Sequence, residues 1–450
     1  MERRSFLKGL FAAGVIEPTL ALPKEPPIMK IGILSDSQGY PYAEDWGFSN
    51  LERAFEGLAG IGVDVLVNAG DIADGPDFAP EALRYVQAME KRVFGAAKPV
   101  DVACLGNHEM GFSYAKNRAK ARENIRGFAE AYGHPDSQLV HKVVKGYDFI
   151  TFTCYEDVGY DAEAIALLKG ALDKAVARDA KKPIFVVTHF HPANTCLGGS
   201  SGRGFALREL FNGYPQIISL SGHSHSPLEN ERCIWQGEFT AIETGGLSYA
   251  CLPIDYVNMC SCIVPWARES IGYQVAWVYA DRIEIRRFHA EENRELKPGA
   301  VWKIDLPYRP EAAKYTLEKR RAAEVPPVFP KNARIKFRYD YGFCYFVIDP
   351  AKHPEFVDHY RLELTEIASD GESLAAPRSW NLLGDYYRYL HQRGRLCFKA
   401  PPKSLKGGVT YRVRMYPAAE FGTEGKPLEM TLVTRPGYPY RDDPVAYPQE

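Results

Sequence analysis

Asparagine, histidine and aspartate side chains follow short apolar runs at several places in the first half of the chain. The run at residues 100–105 stops at Gly106, and Asn107, His108 and Glu109 come directly after it. A buried strand that ends at a glycine and then carries polar side chains is a common way for an α/β protein to present a site. Amide oxygen and imidazole nitrogen bind divalent metal ions, so this stretch is a candidate metal site.

The same pattern recurs four more times. The polar residues that follow an apolar run are Asp36 and Gln38, Asp71 and Asp74, His189 and His191, and His223 and His225. Continuous apolar runs indicate strands buried on both faces, and parallel strands end at the same edge of their sheet. Five strand ends with oxygen and nitrogen donors therefore predict a polynuclear metal centre at the carboxyl ends of a sheet.

Helical patterns alternate with these strands from residue 30 to about residue 220. The predicted helices cover residues 49–58, 80–94, 115–132, 161–177 and 205–212. This alternation is typical of an α/β fold with a largely parallel sheet and helices on both faces. Strands dominate after His225, and the predicted ones cover residues 239–243, 273–278, 283–288 and 301–306. We expect these later strands to complete a second sheet packed on the first.

The C-terminal part has a different pattern of predicted secondary structure. Residues 310–323 are charged and predicted to be helical, and residues 326–330 are a stiff Pro-rich linker. Short strands at turn-like spacing are then predicted at residues 335–339, 344–348, 360–367, 394–398, 409–416 and 428–434. This pattern predicts a second domain, an all-β sandwich. The stretch around Tyr411 resembles a fibronectin type III domain, with Tyr411 as its tyrosine corner.

Composition sets limits on the class of protein. The chain has 450 residues and a formal net charge of −2, which favours more than one domain and argues against nucleic acid or an anionic membrane as a partner. The nine cysteines form no zinc-knuckle spacing. Cys344 and Cys397 are interpreted as free core cysteines, with a disulfide between them as the alternative.

The first residues resemble an export signal. Two arginines, Arg3 and Arg4, precede Phe6, Leu7 and Lys8, as in signals of the twin-arginine export machinery, and small residues allow a cut after Ala21. The apolar stretch is too short to span a membrane. The resemblance implies a signal peptide at residues 1–21 and a periplasmic or extracellular protein; a disordered basic start is the alternative.

Taken in order, the five strand-end motifs resemble the calcineurin-like metallophosphoesterase family. The resemblance covers residues 30–306 and implies a four-layer α/β/β/α sandwich. The predicted domains are then the metallophosphoesterase domain at 30–308, a linker at 309–332, the β-sandwich at 333–435 and a tail at 436–450.

The family resemblance also implies two metal ions, which would be manganese, iron or zinc, bridged by Asp71. The implied ligands of metal one are Asp36, Gln38, Asp71 and His225, and those of metal two are Asp71, Asn107, His189 and His223. Position 38 departs from the commoner family pattern, which has histidine there. Because an amide oxygen is a weaker ligand than imidazole, metal one is expected to be looser, or Gln38 to act through water.

In the family, the residue at the position of His108 is the general acid for the leaving group. Asp74 would hydrogen-bond His108 and raise its pKa. The alternatives are a structural role for His108 and a helix N-cap role for Asp74. Asp74 also replaces the metal-bound tyrosine of purple acid phosphatases.

Three residues are candidates for binding a small phosphorylated substrate: Asn107, His191 and Arg203. His191 would share a face with His189, so support of the ligands or simple packing are its alternatives. Arg203 lies in a glycine-rich segment, where a mobile surface loop is the alternative.

The function that we predict is hydrolysis of a phosphate diester by a metal-activated hydroxide. One alternative is a phosphomonoesterase that acts on phosphoproteins or nucleotides. Another, from a different class, is a non-catalytic envelope or glycan-binding protein on a decayed phosphoesterase scaffold. The sequence makes no prediction of the oligomeric state.

Overall fold

A computed structural model describes the chain over residues 25–41, 45–111, 118–134, 138–153, 160–197, 204–252, 270–340, 342–384 and 394–437. The predicted signal peptide at 1–21, Arg203 and most of the predicted tail lie outside these residues. No helix in the described part is long and apolar enough to cross a membrane.

In its described residues, the N-terminal part contains thirteen strands and six α-helices. The strands are β1 (Met29–Leu34), β2 (Val65–Asn68), β3 (Val100–Ala103), β4 (Leu139–Val144), β5 (Tyr147–Phe152), β6 (Ile184–Thr188), β7 (Ile217–Ser221), β8 (Ile234–Gln236), β9 (Thr240–Glu243), β10 (Gly272–Val278), β11 (Arg282–His289), β12 (Arg294–Glu295) and β13 (Trp302–Asp305). The helices are α1 (Trp46–Ile61), α2 (Ala79–Phe94), α3 (Asn107–Met110), α4 (Arg118–Tyr132), α5 (Ala162–Arg178) and α6 (Phe205–Phe211).

The strands form two sheets packed face to face. The first has the order β12-β11-β10-β1-β2-β3, with β13 paired to β11, and the second has the order β4-β5-β6-β7-β9-β8. Apolar side chains of both sheets, such as Ile33, Val67 and Val187, share one buried cluster between them. Helices α1, α2 and α4 cover the outer face of the first sheet, and α5 and α6 cover that of the second. The predicted four-layer α/β/β/α architecture is confirmed.

The division of strands between the sheets differs from our expectation. Strands β10 and β11, which come after His225, complete the first sheet, whereas the second sheet is built from residues 139–243. Strand β10 lies antiparallel to β1, with Ile31 opposite Ala276. Local patterning predicts that a strand exists, but it carries no information on which distant strand supplies the hydrogen-bonding partner.

The parallel strands set up the site. In the first sheet β1, β2 and β3 run parallel, and in the second β5, β6, β7 and β9 do. The carboxyl ends of β1, β2 and β3 carry Asp36, Asp71 and Asn107, and those of β6 and β7 carry His189 and His223. The two sheets therefore bring their strand ends together at one end of the sandwich.

The segment between the two parts is not one continuous helix, as the charged pattern at 310–323 had suggested. A short 3₁₀ turn, Pro310–Ala312, is followed by an extended stretch and a separate helix, α7 (Leu317–Ala323). Thr316 caps α7, because its side chain accepts a hydrogen bond from the Lys319 N–H at 3.2 Å.

The C-terminal part is a β-sandwich. Its strands are β14 (Ile335–Asp340), β15 (Phe343–Ile348), β16 (His359–Glu366), β17 (Arg378–Leu383), β18 (Leu396–Lys399), β19 (Thr410–Ala418) and β20 (Leu428–Val433). Three strands form the sheet β14-β15-β18 and four form the sheet β17-β16-β19-β20. Tyr411 is buried, and its hydroxyl accepts a hydrogen bond from the Lys406 N–H at 2.9 Å, as in a tyrosine corner.

One strand of the sandwich was not predicted from the sequence, and one prediction about its cysteines is confirmed. Strand β17 was missed, because it is an edge strand whose exposed and half-buried residues show no clear alternation. Cys344 and Cys397 are both free, as the first of the two sequence interpretations had it.

One largely buried carboxylate, Glu231, connects helix α7 to the N-terminal part of the chain. It accepts hydrogen bonds from Arg287 and Lys297 at 2.9 Å each, and from Trp302 and Arg320 at 2.7 Å each. Burial by itself would raise the pKa of Glu231, but the positive charges of Arg287 and Lys297 outweigh it and lower the pKa from 4.5 to about 2. The ionised carboxylate therefore stabilises the fold.

We expect Glu231→Gln to lower the free energy of unfolding by about 3 to 5 kcal/mol at pH 7, because it leaves the buried Arg287 without its counter-charge. The stabilisation by ionised Glu231 is fully present above pH 4.5 and is lost as the pH falls to about 2. Urea unfolding at a series of pH values should show that the difference in free energy of unfolding between variant and wild type decreases over that range. Glu429→Gln, which breaks a half-exposed pair with Arg414, is the control and should cost less than about 1 kcal/mol. A difference in free energy of unfolding that does not change with pH would contradict this account.

Candidate metal centre

Five of the predicted metal ligands lie in turns with an unusual backbone. Asp36, Gln38, Asp71, His223 and His225 all have a positive φ, between 45° and 71°. This left-handed conformation is uncommon for residues other than glycine and costs free energy. Backbone strain of this kind is found where the surrounding fold forces side chains into a functional position.

The first group of side chains surrounds Asp71. His189 Nε2 lies 3.2 Å from Asp71 Oδ2 and 3.0 Å from Asn107 Oδ1. His223 joins this group, and its ligand atom lies within 4.8 Å of those of Asp71 and His189. The structure therefore brings together all four residues predicted for metal two.

The second group surrounds Asp36. His225 Nε2 lies 3.2 Å from Asp36 Oδ1, and the ligand atoms of Asp36, Asp71 and His225 lie within 4.8 Å of one another. Asp71 therefore belongs to both groups, as a bridging carboxylate must. Both aspartates are fully or almost fully buried.

The hydrogen bonds of the two histidines show that each group can hold a cation. The Nδ1–H of His189 donates to the Ala69 carbonyl at 2.8 Å, and that of His225 donates to the Tyr249 carbonyl at 3.1 Å. Each Nε2 is thus directed at carboxylate oxygens, where it can hold either a proton or a metal ion. Acceptor atoms that converge in this way repel one another unless a proton or a metal ion lies between them, so the donor set fits two metal ions.

The electrostatics agree with this assignment. Burial alone would raise the pKa values of Asp36 and Asp71, but His225 next to Asp36 and His189 next to Asp71 outweigh burial and lower them. Burial, together with the charge of His189, lowers the pKa of His223 to about 3. Both carboxylates are therefore ionised and His223 is neutral at pH 7, which are the forms that bind metals.

His108 lies beside the two groups. Its Nδ1 is 2.9 Å from Asp74 Oδ1, and the other oxygen of Asp74 accepts a hydrogen bond from the Tyr40 hydroxyl at 2.7 Å. Burial would lower the pKa of His108, but the hydrogen bond to Asp74 and the charge of Asp71 raise it to about 9. Asp74 does not cap a helix, because α2 begins only at Ala79. This geometry suits an imidazole that is protonated at neutral pH.

Gln38 extends into the site between His108 and His225. Its Nε2 lies 3.0 Å from His108 Nε2 and 3.4 Å from His225 Nε2, while its Oε1 accepts a hydrogen bond from the Ser248 hydroxyl at 2.9 Å. A protonated His108 cannot accept a hydrogen bond from this amide. Rotating the amide by 180° places Oε1 next to His108 and Nε2 next to Ser248, and all partners are then satisfied. In that orientation the amide oxygen lies 3.4 Å from His225 Nε2, next to a residue that would hold metal one.

Backbone contacts hold the carboxylates in place. Glu109 is fully buried and accepts hydrogen bonds from the N–H groups of Asp71, Ala73 and Gly106 at 2.6 to 3.2 Å. A Cβ added at Gly106 would lie 2.1 Å from Asp71 Oδ1, and one added at Gly222 would lie 2.5 Å from Asp36 Oδ2. Each aspartate can therefore take its position only because a glycine faces it.

The predicted substrate-binding residues differ in their placement. Asn107 lies in the centre, as described above. His191 is 2 % exposed, and its two ring nitrogens face Cys196 and Glu243. This placement does not favour the predicted contact with substrate; it fits the alternative, support of the metal ligands. Arg203 lies outside the described residues.

Sequence reasoning missed three residues at the site. Ser248 donates to the Asp36 carbonyl at 3.0 Å and Tyr249 stacks on His225 with ring centroids 4.3 Å apart. Neither lies at a strand end, so no local pattern marked them. Glu243 does follow the apolar end of β9 and precedes Gly245 and Gly246, which is the same pattern that identified the other motifs.

Residues 29–227 match the calcineurin-like phosphoesterase family. No curated protein matches the chain. The chain is also similar to a number of solved structures. Among them are a dimetal phosphatase from Danio rerio (13% identity, 60% of this chain and 98% of that chain covered, TM-score 0.42), a 5'-nucleotidase precursor from Thermus thermophilus (13%, 65% and 57%, 0.33) and a predicted phosphoesterase from Streptococcus pneumoniae (14%, 62% and 97%, 0.27).

By this family match, residues 29–227 belong to a calcineurin-like metallophosphoesterase domain. Members of this family are metal-dependent phosphoesterases, and the groups around Asp71 and Asp36 are the candidate metal-binding residues of this domain.

We expect Gly106→Ala to displace the Asp71 side chain, because the new methyl group would occupy the position of Oδ1. The variant should retain fewer than two metal ions per chain after gel filtration in metal-free buffer, measured by plasma mass spectrometry. Gly170→Ala is the matched control: this glycine lies in α5 with no atom near an added Cβ, so metal content should not change. Full metal content in Gly106→Ala would show that Asp71 does not bridge.

Proposed function

We propose that this protein hydrolyses a phosphate diester with two divalent metal ions held by the groups around Asp71 and Asp36. The observation that carries the proposal is the convergence of acceptor atoms in two groups that share one buried carboxylate. Metal one would be held by Asp36, Gln38, Asp71 and His225. Metal two would be held by Asp71, Asn107, His189 and His223.

The chain's own residues have distinct tasks in the reaction. When bound, the metal ions neutralise the charge of the phosphate and lower the pKa of a water molecule. Asn107 precedes His108, its Oδ1 lies 3.0 Å from His189 Nε2, and its amide orients a phosphate oxygen. His108, held by Asp74, keeps a proton on its ring and transfers it from Nε2 to the oxygen of the leaving group. A poor leaving group depends most on this proton.

The finer parts of the proposal rest on the sequence. A diester is favoured because the spacing of Asp71 and Asp74, with the ending His223-x-His225, resembles the cyclic-nucleotide phosphodiesterase branch of the family. Export is proposed from the twin-arginine pattern at Arg3 and Arg4. A fibronectin type III-like C-terminal domain is proposed from the seven-stranded sandwich together with the hydrogen bond of Tyr411.

The test is a panel of chromogenic phosphate monoesters and diesters, assayed with Mn²⁺, Zn²⁺ or Fe²⁺ after removal of metal by a chelator. We expect no turnover without metal and faster turnover of diesters than of monoesters. Faster turnover of monoesters would support the phosphomonoesterase alternative. Stoichiometric metal without turnover of any ester would support the decayed scaffold.

His108→Gln should retain both metal ions but lower kcat by about 10²- to 10⁴-fold, because the general acid is removed. The loss should be larger for alkyl than for nitrophenyl leaving groups, which need little protonation. His141→Gln is the control, since His141 forms a similar pair with Asp148, at 2.6 Å, on β4 and β5. An equal loss for both leaving groups would argue against the acid role of His108.

A further inference from the structure

Glu243 lies at the end of β9 and is completely buried. Its Oε2 is 2.5 Å from His191 Nε2, and its Oε1 accepts a hydrogen bond from the Ser226 N–H at 3.4 Å. Its backbone carbonyl accepts a hydrogen bond from the Gln274 side chain at 2.6 Å. We call Glu243, His191 and Ser226 the Glu243 bridge.

The bridge connects the two segments that carry the metal-binding histidines. His191 follows His189 by two residues, in the segment after β6, and Ser226 directly follows His225, in the segment after β7. One carboxylate thus contacts both segments, one through each oxygen. Because Gln274 lies on β10 of the first sheet, the backbone of Glu243 is also attached to the sheet that carries Asp36 and Asp71.

Cys196 is a further polar neighbour of His191. Its Sγ lies 3.2 Å from His191 Nδ1, so the thiol and the carboxylate of Glu243 face opposite nitrogens of one ring. The ligand atoms of these three side chains lie within 4.8 Å of one another, so the cluster could also hold a metal ion. Without such an ion, a partner at each of its two ring nitrogens holds the His191 ring in one orientation.

We propose that Glu243 and His191 are positioning residues, which set the separation between the His189 segment and the His223–His225 segment and thereby the affinity for metal two. This inference rests on the proposed dinuclear centre. In this proposal neither residue is a ligand of metal one or metal two. Partners of this kind around a metal site typically change metal affinity by 10- to 100-fold.

The experiment measures Mn²⁺ binding to the metal-free full-length chain by calorimetry, together with kcat at saturating Mn²⁺. Glu243→Ala should bind the weaker Mn²⁺ about 10- to 100-fold less tightly, while kcat at saturation stays within a few-fold of wild type. Glu243→Gln should restore most of the affinity, because its amide oxygen can still accept a hydrogen bond from His191. If Glu243→Ala does not fold, the affinity for the weaker Mn²⁺ is measured in His191→Gln, where the same decrease is expected.

Glu90→Ala is the matched control. Glu90 lies on α2, away from the site, is 2 % exposed and pairs with Lys98 at 2.9 Å. Its loss should therefore lower thermal stability without changing Mn²⁺ affinity. Wild-type affinity in folded Glu243→Ala, or an equal loss in Glu90→Ala, would overturn the inference.

The remaining outcomes separate this inference from the proposed function. A wild-type chain that binds no Mn²⁺ would overturn both. A wild-type chain that binds two ions and hydrolyses esters, with Glu243 and His191 variants of unchanged affinity, would overturn the bridge alone. A third bound ion that is lost in His191→Gln would identify the cluster of His191, Cys196 and Glu243 as a metal site and also overturn the bridge.

Discussion

Two ionised carboxylates, Asp36 and Asp71, lie buried close together, and the surrounding structure follows from the cost of placing them there. Like charges in a low-dielectric interior repel strongly unless cations or hydrogen-bond donors compensate. The fold supplies donors from the backbone, since His108 N–H contacts Asp71 at 2.8 Å and His223 N–H contacts Asp36 at 3.1 Å. The Nε2 atoms of His189 and His225 are directed toward the same carboxylates, so this space requires positive charge, which protons or two divalent ions can supply.

Each layer of the fold serves this arrangement. The parallel strands end at one edge, their turns adopt a strained left-handed backbone, and glycines facing the aspartates remove the Cβ atoms that would block them. The C-terminal sandwich contributes as well, because Phe356 and Leu383 pack on Leu197, Ala250 and Leu252, which flank the site segments that carry His191 and Tyr249. The C-terminal sandwich therefore contacts residues that adjoin the segments of the metal centre.

Much of this could be predicted from the sequence, because the signals are local. An apolar run that ends in a glycine and a metal-type ligand identifies both a buried strand and its functional end, and the predicted positions of Asp71, Asn107 and His189 follow from that. The assignment of β10 and β11 to the first sheet could not be predicted, since pairing between distant strands leaves no local pattern. The contacts of Ser248 and Tyr249, and the burial of His191, depend on tertiary packing in the same way. Glu243 carried the local signal and could have been found.

The most direct test of the central claim is anomalous X-ray diffraction from crystals of the protein grown with Mn²⁺. The account predicts two manganese peaks about 3.5–4 Å apart, one on each side of the Asp71 carboxylate. A single peak, or two peaks of which only one contacts Asp71, would contradict it.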